Sequence, residues 1–158
     1  MRVAILTVSD SVSRGEYEDS SGPAVEEFCG AREWSAVASA VVPDEQEKIE
    51  GQLRSWADAG EVDLILTTGG TGIGPRDVTP EATAALCQRL IPGLAEEMRR
   101  KGVEKTPRAV LSRSVAGVRG TVLIVNLPGS PKGAIESLAA IADLLPHCAK
   151  IVRGARHD

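Results

Sequence analysis

The stretch Asp63-Leu-Ile-Leu-Thr-Thr-Gly-Gly-Thr-Gly-Ile-Gly-Pro-Arg-Asp-Val-Thr-Pro-Glu-Ala-Thr83 constrains the fold of this chain more than any other segment. Its apolar run, Leu64 to Leu66, has the composition of a buried strand. The run enters a loop in which Gly69, Gly70, Gly72 and Gly74 remove the Cβ atoms that would hold a ligand away from the backbone. Asp77 follows, and Thr79-Pro80-Glu81 is a helix start. Strand, glycine loop, carboxylate and helix N-terminus in this order suit a phosphate with a cation beside it. The loop has no Lys-Ser/Thr after its last glycine, so it is not a Walker A loop, and Pro75 rules out the dinucleotide fingerprint. A tight turn remains the alternative reading of the glycines.

Similar apolar runs recur along the chain. Arg2 to Ser9, Ser35 to Val42, Asp63 to Thr67 and Thr121 to Leu127 read as strands. Helices are expected over Pro23 to Arg32, Asp44 to Ala59, Pro80 to Leu90, Gly93 to Lys101 and Pro131 to Leu145, with Pro146 breaking the last. Ala109 to Val118 reads as extended, in a hairpin. Strands alternating with helices predict an α/β fold with a mainly parallel sheet covered on both faces. In such sheets, ligands bind beyond the carboxyl ends of the strands. The residues there are Ser9-Asp10, Pro43-Asp44, the glycine loop with Asp77, and Asn126-Leu127-Pro128-Gly129-Ser130.

Each candidate has a purely structural counterpart. Asp44 stands where a helix N-cap is expected. Asp77 could serve a turn, although Thr79 and Pro80 already supply a cap and a first position for the next helix. Ser130-Pro131 suits a capped helix as well as an anion site, and Ser20-Ser21-Gly22-Pro23 repeats that device. Two carboxylates facing a phosphate loop suit Mg²⁺ held partly by substrate phosphates. Arg99 to Arg119 carries seven basic residues against one acid, Glu104. It reads as a solvated face, or as an attraction for a polyanion with Arg113 and Lys132 as phosphate contacts.

At 158 residues the chain suits one domain spanning 1–158. Its net charge of -4 gives no general attraction to nucleic acid or an anionic membrane, and 3% aromatic content leaves little to stack on bases. No apolar run is long enough to span a bilayer, and the N-terminal run has no cleavage site for a signal peptide. Cys29, Cys87 and Cys148, odd in number and widely spaced, read as reduced thiols of a cytoplasmic protein. His147 and His157 show no zinc-ligand pattern.

The ordered set TTGGTG, DVTPEAT, PGLAEEMR, LSRS and NLPGSPKG resembles the MogA/MoaB-type molybdopterin adenylyltransferases, the family of the gephyrin G domain and of plant molybdenum-cofactor proteins. The opening TVSDSVSRGEYEDSSGP and the PDEQ at Pro43 to Gln46 are similar too, so the resemblance covers nearly the whole chain. It implies a three-layer α/β/α, molybdopterin-binding-domain-like fold and a homo-oligomer, usually a trimer. It implies transfer of AMP from Mg-ATP to the terminal phosphate of molybdopterin, with release of pyrophosphate and use of the product by a molybdenum-insertion protein. The family's two important aspartates fall on Asp44 and Asp77, the implied catalytic and metal-holding residues. Pterin and nucleotide phosphates are implied at Thr68, Gly69, Gly70, Thr71, Gly72, Gly74, Asn126, Pro128, Gly129 and Ser130, with Ser112 on the substrate side. Ser9 and Asp10 join them by position. The chain is compact, as MoaB-like members are, and a non-catalytic molybdopterin carrier built on the same loops is the second reading.

Overall fold

The structure is a computed structural model and describes residues 1–156. In chain order the elements are β1 (Arg2–Val8), α1 (Asp10–Ser13), α2 (Ser21–Ala31), β2 (Ser35–Val42), α3 (Gln46–Asp58), β3 (Leu64–Thr68) and α4 (Thr79–Leu86). They continue with β4 (Arg89–Leu90), α5 (Pro92–Val103), a 3-10 turn at Pro107–Leu111, β5 (Ala116–Arg119), β6 (Val122–Leu127), α6 (Pro131–Ile141), a 3-10 turn at Ala142–Leu144 and α7 (Leu145–Val152). The strands form one six-stranded sheet of order β2-β1-β3-β6-β5-β4. β2, β1, β3 and β6 pair in parallel, whereas β5 runs antiparallel to both β6 and β4.

Alternation along the apolar strands sorts their side chains between two cores. Val3, Ile5, Leu64, Leu66, Leu123 and Val125 point to one face, where Val25 of α2, Leu94 and Met98 of α5, Leu138 of α6 and Leu145 of α7 cover them. Ala4, Leu6, Ile65 and Ile124 point to the other, beneath Ile49 and Leu53 of α3 and Ala82 and Leu86 of α4. Continuous apolar runs are therefore what these strands need, since neither face meets water. The architecture is the expected three-layer α/β/α arrangement with a mostly parallel sheet.

Several local expectations are corrected. The helix foreseen from Pro80 to Leu90 stops at Leu86, and Arg89–Leu90 joins the sheet as β4 beside Gly117 and Val118. Pro92 disfavours helical backbone at the residue before it, and the sheet edge offers this segment acceptors instead. The first half of Ala109 to Val118 lies in or next to the 3-10 turn rather than in a strand, while the hairpin forms between β5 and β6. The last helix breaks before Pro146, which falls in the first turn of α7, where its missing N–H leaves no intrahelical bond unmade. His157 lies outside the described residues.

Candidate functional site

The four parallel strands end at the same edge, and the order β2-β1-β3-β6 places the switch in strand order between β1 and β3. Ser9, the glycine loop and Pro128 follow directly on β1, β3 and β6. Gly69 (φ 106°) and Gly70 (φ 69°) turn the chain sharply in the left-handed region. A Cβ on Gly69 would collide with the Val8 carbonyl oxygen, and one on Gly129 would stand 3.3 Å from the Gly69 Cα. The loops after β1, β3 and β6 thus pack backbone against backbone. Thr68 adds a link, its hydroxyl donating to the Pro128 carbonyl at 2.7 Å.

Thr79 has a different role from the expected one. The residue before α4 is Val78, with no side-chain cap, and the Thr79 hydroxyl donates to the Gly69 carbonyl at 2.9 Å. Its amide donates to the Gly70 carbonyl at 3.1 Å, so the first residue of α4 anchors the glycine turn twice. Asp44 is likewise not a helix cap. Glu45 precedes α3 without a capping bond, and Asp44 pairs with Asp10 instead. The Asp44 amide donates to Asp10 Oδ1 at 3.0 Å, and the Asp10 amide donates to Asp44 Oδ2 at 2.9 Å. The cap foreseen at Ser130 does form, accepting from the Gly133 amide at 3.1 Å, and Ser9 caps α1 by accepting from the Val12 amide at 3.2 Å.

The carboxylates are electrostatically distinct. Two Arg76 nitrogens donate to Asp10 at 3.0 Å each, and that guanidinium holds the Asp10 carboxyl below its ordinary range. Burial pushes the Asp44 carboxyl up; the charges of Asp10 and Asp77 add to this, against the lowering by the Asp10 amide. Asp77 Oδ2 accepts the Gly74 amide at 2.9 Å, and a Cβ on either Gly72 or Gly74 would stand 2.9 Å from that oxygen. A Cβ on Gly70 would stand 3.0 Å from Asp44 Oδ1. The glycines therefore make room for carboxylates as well as for a ligand. Among the described residues no three His, Cys, Asp or Glu side chains form a metal cluster. With Asp10 engaged by Arg76, the carboxylates that line the smaller cleft are Glu18, Asp19, Asp44 and Asp77.

Two clefts meet here. The larger, about 450 Å³, lies between Gly70-Thr71-Gly72, the turn bearing Arg108 and Ser112, and Pro128-Gly129-Ser130 at the start of α6. The smaller, about 240 Å³, lies between Ser9, Glu18, Ser20, Asp44 and Thr68-Gly69. Gly70, Asp77 and Gly129 line both. Asp10, Gly74, Asn126, Arg113 and Lys132, all anticipated at the site, stand outside the linings of both clefts. Asp10 is bound to Arg76, and Gly74 supports Asp77 from behind. Asn126 is fully buried, its amide donating to the hydroxyls of Thr67 and Thr83 at 3.0 and 2.9 Å while its oxygen accepts from Val115 N.

Arg113, expected to meet phosphate, is bound instead to Gly72, Asp77 and Glu81. Arg100 and Arg119 are paired with Glu97 and Asp58, which disperses much of the apparent basic run. Arg108, Glu136 and Ser137 line the larger cleft without having stood out in the sequence. Arg108 was one cation among seven, and Glu136-Ser137 carries no motif. Burial pushes the Cys29 and Cys87 thiols up to about 11, which disfavours their thiolates at neutral pH.

The model of the probable molybdopterin binding domain matches residues 4–147. A molybdopterin adenylyltransferase of Helicobacter pylori is 40% identical over 156 residues, covering 98% of this chain and 89% of that protein. One from Escherichia coli is 37% identical over 168 residues, covering 98% and 86%. The crystal structure of the molybdopterin biosynthesis enzyme MoaB from Thermus thermophilus superposes with a TM-score of 0.92 at 54% identity, covering 99% of each chain. With its sequence motifs, its sheet order and these likenesses in agreement, the chain belongs to the molybdopterin-binding-domain family of molybdenum cofactor biosynthesis.

Proposed function

We propose that the protein is a molybdopterin adenylyltransferase, transferring AMP from Mg-ATP to the terminal phosphate of molybdopterin and releasing pyrophosphate. The observation that carries this reading is the meeting of two clefts at Gly70, Asp77 and Gly129. A single ligand needs one cleft, whereas a transfer between two bound molecules needs two that share a wall. The relatives named for this activity match nearly the whole chain.

The pterin phosphate attacks the α-phosphorus of ATP. A P–O bond to the pterin phosphate forms, and the bond from the α-phosphorus to the bridging oxygen breaks with pyrophosphate leaving. No protein nucleophile is needed, so the chain contributes position and electrostatics. Gly69 to Gly72 and Gly129-Ser130 bring backbone close to the junction, and the start of α6 lends its amides and its positive dipole end. Asp44 and Asp77 fit a divalent cation. One is half-buried at a cost that a cation would relieve, and glycine lacks the Cβ that would crowd either carboxylate. Mg²⁺, accustomed to one or two carboxylates plus substrate phosphates, would neutralise phosphoryl charge there. Ser9, Thr68, Thr71, Ser112 and Pro128 line the clefts beside the substrates, and Asp10, Gly74 and Asn126 support the loops.

The same reading takes 1–158 as one working domain, assembled as a homo-oligomer, a trimer, in the cytoplasm. The adenylylated pterin passes to a molybdenum-insertion protein. Among the described residues no helix is long and apolar enough to cross a membrane. ATP labelled in the α-phosphate tests the reaction: label should move to the pterin with stoichiometric pyrophosphate. Pterin retained on the protein with all label left in ATP would establish a carrier instead.

A further inference from the structure

Arg113 stands just after the 3-10 turn and bonds directly to the glycine loop. Its backbone amide donates to the Thr71 carbonyl at 2.8 Å. Its Nε donates to the Gly72 carbonyl and its Nη2 to the Asp77 carbonyl, both at 2.7 Å. The remaining fork closes on Glu81 of α4, at 2.8 and 2.9 Å. One guanidinium thus joins both ends of the segment 72–77 and the helix that follows it. Arg113 is itself held in place, because Arg99 of α5 donates to the carbonyls of Ser112 and Ser114 on either side of it, at 3.2 and 3.0 Å.

Segment 72–77 needs such a tie. It lies between β3 and α4 and contains two glycines, whose backbone freedom is lost on ordering. Its one internal backbone bond runs from Asp77 N to Gly74 O. The direction of the Asp77 carboxylate depends on this segment, since Oδ2 is held by the Gly74 amide. A planar guanidinium fixes several acceptors in one plane, which a lysine ammonium cannot do.

We propose that Arg113 is a positioning residue for Asp77: it closes the loop from Gly72 to Asp77 so that the carboxylate is presented ready-made where the clefts meet. For its catalytic consequence the proposal rests on the adenylyl-transfer reading; for the loop it rests on geometry alone. The charge of Arg113 is spent on Glu81, whose carboxyl it holds below its ordinary range, and on two carbonyls, so its role is to shape the loop rather than to grip phosphate.

Arg113→Gln and Arg113→Lys in the full chain test this through two readouts. The first is hydrogen exchange of the Gly74 amide by NMR, without substrate. The second is the Mg²⁺ concentration for half-maximal adenylylation, with KM for molybdopterin measured alongside. Arg113→Gln should speed Gly74 exchange about tenfold or more and raise the Mg²⁺ requirement by about 10- to 100-fold, leaving KM for the pterin within about twofold. Arg113→Lys should fall between the two and supplies the comparison if the glutamine variant does not fold. Unchanged Gly74 exchange together with a raised KM for pterin or ATP would overturn the proposal in favour of a direct phosphate contact. If the wild-type protein makes no adenylylated pterin, the function reading fails. Gly74 exchange and Mn²⁺ binding by the same variants then still decide the proposal, and no change in either would sink it.

Discussion

Asp44 and Asp77 carry the chemistry in this account, and they differ in what holds them. Asp77 is held by a glycine amide from its own loop, and Asp44 by the reciprocal pair with Asp10. Asp77→Ala should lower turnover by about 10²-fold or more, the scale of losing a preorganised electrostatic group. Asp44 makes a prediction of the opposite sign for stability. Its folded pKa lies above its ordinary value of 3.8, so its ionised form costs native stability. The stability carried by its protonated form is fully present below the ordinary value and is lost as pH rises through the raised one, so the cost is borne at neutral pH. Asp44→Asn keeps an oxygen for the Asp10 amide and removes the charge. At neutral pH and without divalent cation it should melt higher than wild type, with the gain vanishing in acid. Added Mg²⁺ should raise the Tm of wild type alone. Thermal melts across pH, with and without Mg²⁺, check both statements. The sequence marked these two aspartates because each follows a predicted strand end. It could not give the partners of Arg76 or Arg113, which lie 66 and 32 to 41 residues away. One-dimensional pattern carries no such pairing.

Among the elements, the sheet's four long strands and most helices were legible from apolar runs and helix signals. The errors fell where tertiary bonds outweighed local preference. Asp44 has the sequence context of an N-cap, yet its carboxylate is taken by the Asp10 amide and α3 starts two residues later. Thr79 has the context of a cap, yet its hydroxyl goes to the Gly69 carbonyl. Thr79→Val should therefore cost about 1–3 kcal/mol, the scale for leaving a buried carbonyl without its donor, and should loosen the glycine turn. Ser130→Ala removes a cap that does form and should cost about 1 kcal/mol. Urea unfolding of both variants checks the two values. In the sequence Asn126 falls both at the end of the predicted strand Thr121 to Leu127 and at the start of the anion-binding candidate that runs to Ser130. Its register on β6 instead points it at Thr67 and Thr83, making it a buried polar clasp behind the site.

For the whole molecule, the two cores on opposite faces of one sheet give the strand ends a rigid common edge, and the loops inherit their precision from it. Leu138, fully buried in α6, belongs to the face that carries the Ser130 end of the larger cleft. Leu138→Ala should cost about 2–5 kcal/mol in denaturant unfolding. The proposed trimer is checked by light scattering, which should return the mass of three chains.

The most direct test of the two-carboxylate, two-cleft account is one experiment. Purified wild type and Asp77→Ala are each given molybdopterin and ATP over a range of Mg²⁺, and adenylylated pterin is quantified by mass spectrometry. The account predicts product from wild type, its loss on chelation, and a fall of about 10²-fold in the variant. Product formed equally well by the variant, or undiminished by the chelator, would contradict it.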